Sequence, residues 1–117
     1  MLQTISIIYT ETSMTVTPEG KVKGKVKKLL DLFGAYYFMP ATHGYGASGV
    51  PDIVACLNGR FIAIECKAGS NKPTALQVIQ LGKIQDRGGI ALVINETNLE
   101  LLENELKRIR EGHTGTG

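Results

Sequence analysis

Asp52, Glu65 and Lys67 are residues whose types and spacing could do chemistry together. Asn58-Gly59 lies midway between the two acids. Asn-Gly is the preferred pair for a two-residue type I′ hairpin, because both turn residues need positive φ. With the turn there, Leu57 faces Arg60, and counting outward sets Asp52 opposite Glu65, Cβ atoms roughly 5 Å apart on one face. The strand period of two brings Lys67 onto that face and turns Cys66 to the other. Opposed carboxylates repel, so a sheet alone gives no reason to place them together. A divalent cation between them supplies one, with the Lys67 ammonium beside it.

The plainer alternative is a solvent-facing hairpin carrying three unrelated surface charges. The flanking runs Ile53 to Leu57 and Phe61 to Ile64 argue against it. Near-continuous apolar strands read as central and covered on both faces, and a charge in such a strand is costly unless compensated.

The elements that must position this hairpin follow from periodicity and punctuation. Thr17 and Pro18 open a helix that runs to about Phe33, with Val22, Val26, Leu29, Leu30 and Phe33 as its buried stripe and Gly34 as its stop. Residues 35–40 read as an aromatic-rich strand, and a glycine-rich loop, 41–49, leads to hairpin strands at about 50–57 and 60–68. A second helix spans about 74–87 and ends at Gly88-Gly89. A further buried strand covers 90–95, and a last amphipathic helix, capped by Thr97 or Asn98, reaches Arg110. The order is αβββαβα. A strand–helix–strand crossover implies a parallel pair, so the sheet is mixed and four-stranded, flanked by helices in an α/β sandwich.

These residues carry a family resemblance. Pro51-Asp52 followed by Glu65-Cys66-Lys67 resembles the PD-(D/E)XK nuclease signature. Gly46-Ala47-Ser48-Gly49-Val50 before it, Thr74-Ala75-Leu76-Gln77 after it, and Thr17-Pro18-Glu19-Gly20-Lys21 at the first helix are similar to the virus-type replication-repair nuclease (VRR-NUC) branch. The resemblance runs from about Thr17 to Asn95 and implies a restriction-endonuclease-like fold. It implies a metal-dependent DNA endonuclease in which Asp52, Glu65 and the Cys66 backbone carbonyl hold Mg²⁺ or Mn²⁺, hard cations suited to oxygen ligands. Lys67 then orients or deprotonates the attacking water or stabilises the transition state, with one metal or two. The resemblance adds Glu19 as a further metal-site acid and Gln77 as a catalytic-site residue. Each also has a local explanation: an acid in a helix's first turn suits the helix dipole, and Thr74 with Gln77 is spaced as a capping box.

For substrate, the resemblance implies branched DNA such as a four-way (Holliday) junction, cut by a homodimer. The alternatives are a nuclease for flaps, nicks or linear duplex, or a non-catalytic DNA-binding module with the same fold. Lys21, Lys23, Lys25, Lys27 and Lys28 cluster on the first helix, where they suit phosphates or simply water. His43, Tyr45 and Ser48 are candidate DNA contacts in the glycine-rich loop. Gly44 to Gly49 spells a dinucleotide-binding glycine pattern, but a strand follows instead of a helix, so no nucleotide cofactor is expected.

At 117 residues and 43% hydrophobic content, the chain suits one domain with a real core. Residues 17–111 are expected to form it, with 1–16 as an N-terminal extension and 112–117 as a flexible tail. The net charge of +2 neither demands nor excludes nucleic acid. Cys56 and Cys66 fall on opposite faces of adjacent strands, which speaks against a disulfide and for reduced, buried thiols. No run is long enough to span a membrane and no secretory design is visible, so the expected location is the cytoplasm of a bacterial or phage-infected host cell.

Overall fold

The computed structural model describes residues 16–41 and 48–112. Helix α1 (Pro18–Leu32) starts where Thr17 Oγ1 accepts the Gly20 N–H at 3.0 Å. It buries Val22, Val26 and Leu30, each contributing up to about 1.5–3 kcal/mol by leaving water. Strands β1 (Tyr36–Phe38), β2 (Ile53–Leu57) and β3 (Arg60–Cys66) follow, then α2 (Ala75–Asp86), β4 (Ile90–Ile94) and α3 (Leu99–Arg110). The αβββαβα order is the expected one, and the strands lie in the order β1-β2-β3-β4. The first two pairings are antiparallel and β3 with β4 is parallel, which makes the sheet mixed.

The Asn58-Gly59 turn forms as its chemistry demands, with φ of 51° and 79°. Leu57 pairs with Arg60 and Ile53 with Ile64, the expected register. Asn58 Nδ2 also donates to the Ile109 carbonyl at 3.2 Å, tying the turn to the end of α3.

One sheet face carries Ile53, Ala55, Leu57, Ile62, Ile64 and Cys66. It packs under α1 and α3 with Leu30, Leu102 and Leu106, which are fully buried. Helix α2 lies against β3 and β4 on the other face. Among the described residues, the covering of that face stops there. Tyr36, Phe38 and Phe61 are exposed, and Cys56 is an exposed thiol rather than a buried one. The apolar run through β2 therefore does not mean two covered faces. Likewise β4 is an edge strand, mostly half-buried, where its apolar sequence suggested a fully buried one. Asn98 stands at the start of α3 but caps nothing with its side chain. Its Oδ1 instead accepts the Asn95 N–H at 2.7 Å and its Nδ2 donates to the Val93 carbonyl at 3.0 Å, closing the β4–α3 turn.

Candidate active site

Asp52 stands one residue before β2, so it lies beyond the last ladder pair, Ile53 with Ile64. Its Oδ2 accepts the backbone N–H of Cys66 at 2.9 Å, so the carboxylate closes the end of the hairpin and sits beside Glu65 and Lys67. The residue is placed from the other side by Gly49. That glycine has φ +76°, and a Cβ there would lie 2.6 Å from the Leu76 carbonyl carbon and 2.8 Å from Gln77 N. Only glycine lets the loop seat against the start of α2 and deliver Pro51-Asp52 to the sheet.

Glu65 is held on the central strand β3 and is 1% exposed. Its Oε2 lies 3.4 Å from the Lys67 ammonium, itself mostly buried. Its Oε1 is buried and meets no hydrogen-bond donor among the described residues. Burial, then the neighbouring Asp52 charge, raise the Glu65 carboxyl above the usual carboxylate range, while Lys67 pulls it down. Lys67 is anchored through its own N–H, which donates to the Ile94 carbonyl at 3.0 Å. Burial and the Asp52 charge push the Cys66 thiol up to about 12, so it stays protonated and is no nucleophile.

Lys23 belongs to this site, where the sequence suggested only a phosphate contact. Its Nζ is 3.7 Å from Asp52 Oδ1 and 3.8 Å from Glu19 Oε2. Glu19 thus reaches the site through an ammonium. Lys21, Lys25 and Lys28 are exposed, and their i, i+4, i+7 spacing puts them on one outward face of α1; Lys27 is half-buried. Beside Glu19, a cleft of about 460 Å³ opens between the start of α1 and the loop from Ala68 to Asn71. That loop is fixed by Glu96, whose two carboxylate oxygens both accept the Gly69 N–H, at 3.0 and 2.9 Å. Nothing local to Glu96 in the sequence pointed to this contact.

Gln77 makes the capping box. Its Oε1 accepts the Thr74 N–H at 2.8 Å and Thr74 Oγ1 accepts the Gln77 N–H at 3.2 Å. Ser48 is exposed in the turn before β2, while His43 and Tyr45 lie outside the described residues.

Among the described residues, no three His, Cys, Asp or Glu side chains form a ready-made metal cluster. The donors that are present still fit a hard cation. Glu65 offers a buried oxygen that accepts no hydrogen bond, Asp52 offers an oxygen held only by a distant ammonium, and Mg²⁺ needs just one or two carboxylates alongside water and phosphate.

No model of a known protein family matches the chain. It is 38% identical over 55 residues to "Putative nuclease p44" of Acyrthosiphon pisum secondary endosymbiont phage 1, a stretch covering 46% of this chain and 59% of that protein. The chain thus spans less than two thirds of that relative's length. Among solved structures, a VRR_NUC domain superposes with a TM-score of 0.60 at 21% identity, covering 82% of this chain and 97% of that one.

Proposed function

We propose that this chain, which has a VRR-NUC nuclease fold, is a metal-dependent DNA endonuclease with Asp52, Glu65 and Lys67 as its hydrolytic site. The observation that carries the reading is Glu65. A fully buried carboxylate with an oxygen that has no partner among the described residues, beside a second acid locked by a backbone N–H, is expensive for a sheet and useful to a cation. The similarity of its matched half to a phage protein described as a nuclease supports it further.

Asp52, Glu65 and the Cys66 carbonyl would hold Mg²⁺ or Mn²⁺, with Glu19 as an outer acid. When bound, such an ion lowers the pKa of a coordinated water and screens charge on the scissile phosphate. Lys67, oriented by Glu65, can donate to the incoming water or to a phosphate oxygen. In-line attack then forms one P–O bond and breaks the ester bond opposite. Gln77 has its carbonyl committed to the helix cap, leaving its amide N–H groups as donors for a substrate oxygen.

For the substrate we favour branched DNA, four-way junctions included, cut by a homodimer in the cytoplasm of a bacterial or phage-infected cell. A domain this small has little surface for reading base sequence. Lys21, Lys25 and Lys28 form an outward basic face suited to phosphates. Leu76, Val78 and Ile79 of α2 are about half exposed, and so are Phe38 and Phe61. Exposed apolar surface of that kind suits a second copy. Among the described residues no helix is long and apolar enough to cross a membrane.

The test is cleavage of equal amounts of junction, flap, nicked and linear DNA with Mg²⁺ or Mn²⁺, alongside Asp52→Asn and Glu65→Gln. Both variants should fold and lose activity by several orders of magnitude. Retained cleavage in either would remove the site assignment. Metal-independent binding without cleavage by the unaltered chain would favour a DNA-binding module. Equal cutting of linear duplex, or a monomer at the active concentration, would overturn the junction reading alone.

A further inference from the structure

Two features of the acid cluster do not fit simple surface pairing. Lys23 sits on α1 four residues after Glu19, yet its ammonium is shared with Asp52, which comes from a different part of the fold. Both separations, 3.8 and 3.7 Å, are well beyond the roughly 2.7–2.9 Å of a committed charge-assisted hydrogen bond. The ammonium straddles the two carboxylates without settling on either. Its side chain is about one-third exposed, so it is free to leave.

Charge balance says when it should. Glu19, Asp52 and Glu65 bring three negative charges, and Lys23 and Lys67 return two positive ones. The site is one charge short of neutral. A divalent cation placed on Asp52 and Glu65 would overshoot to one positive charge, with an ammonium facing a dication across Asp52. Of the two lysines, Lys67 is mostly buried against Glu65 and anchored through its backbone, while Lys23 is the exposed one. A phosphodiester brings one negative charge, which restores neutrality if an ammonium turns to meet it.

We infer that Lys23 is a resident counter-ion that competes with the divalent cation for Asp52 and, when displaced, moves onto the substrate phosphate. It is a positioning residue that links metal loading to DNA engagement. The inference rests on the metal-dependent reading above and extends it to a residue outside the Asp52–Glu65–Lys67 set.

The experiment is isothermal titration of the full chain with Mn²⁺, comparing the unaltered protein with Lys23→Met, Lys23→Arg and Glu65→Gln. Lys23→Met should bind Mn²⁺ about tenfold more tightly, equivalent to about 1.4 kcal/mol. Lys23→Arg keeps the charge and should return the affinity close to that of the unaltered protein. The Lys23→Met variant should also lose about 0.9 from the log–log salt dependence of KM for DNA, one phosphate contact's worth. A measurement without substitution guards against misfolding: the Lys23 ammonium resonance should shift as Mg²⁺ is added. Equal or weaker Mn²⁺ binding by Lys23→Met, or an unmoved ammonium resonance with Mg²⁺ bound, overturns the inference while the metal reading stands. If the unaltered chain takes up no Mn²⁺, and so matches Glu65→Gln, the metal reading itself fails and takes this inference with it.

Discussion

Replacing Gly49 with alanine should damage the site from outside it. Two costs are separable because the fold supplies a control. Gly34 and Gly49 have nearly the same φ, +75° and +76°. An alanine at either position pays for left-handed backbone, about 1–2 kcal/mol. Both substitutions also narrow the unfolded ensemble to the same extent, so that contribution cancels in the comparison. What differs is space. A Cβ at Gly34 meets nothing within 4 Å, whereas at Gly49 it meets the Leu76 carbonyl carbon at 2.6 Å, its oxygen at 2.8 Å and Gln77 N at 2.8 Å. These are backbone atoms in the first turn of a helix locked by the Thr74–Gln77 box, so they cannot step aside as a side chain would. Overpacking of that kind adds about 1–3 kcal/mol. Gly34→Ala should therefore cost about 1–2 kcal/mol and Gly49→Ala about 2–5 kcal/mol. The assay is urea unfolding of both variants, read at constant m so that midpoints report stability. Because Asp52 follows three residues later, Gly49→Ala should also lower cleavage by more than its unfolded fraction accounts for. Equal destabilisation by the two alanines would refute the close packing of this loop on α2.

Asn58→Ala removes a residue tolerant of φ 51° and its bond to the Ile109 carbonyl; it should cost about 2 kcal/mol in the same unfolding assay. Glu96 is held below the usual carboxylate range, chiefly by the Gly69 N–H. A depressed carboxyl stabilises the fold above its unfolded pKa and loses that contribution as pH falls through the folded one. Thermal unfolding of the unaltered chain should therefore weaken more steeply below pH 4.5 than that of Glu96→Gln. Parallel profiles would show that Glu96 does not hold the loop.

The parts of this fold legible in the sequence are those where one residue type meets one backbone demand. Asn58-Gly59 dictated a turn with two positive φ values, and that turn set the whole β2–β3 register. Thr17 and Thr74 dictated two helix starts, and the apolar stripe of α1 dictated its buried face. Burial by layers was less legible. An apolar strand such as Ile90 to Ile94 reads the same at the edge of a sheet as at its centre, because a single face against a helix already rewards it. Cys56 shows the same gap from the other side: its neighbours are apolar, yet its thiol is exposed.

Lys23 marks the deeper limit. Read along α1 it is one lysine among five, and helical spacing offers Glu19 as its partner, the commonest and weakest kind of ion pair. Its second carboxylate arrives only when the hairpin closes and Asp52 reaches past the last ladder pair to the Cys66 N–H. Beside it Glu65 is buried with one oxygen that meets no donor among the described residues. A hairpin register can bring acids to one end of a sheet, but how their charge is neutralised depends on which helix the tertiary fold lays beside them. Here α1 supplies an ammonium to Asp52, while Lys67, one residue past β3, supplies one to Glu65. The two ammoniums offset the charge of the clustered carboxylates, and that is what lets a sheet tolerate them.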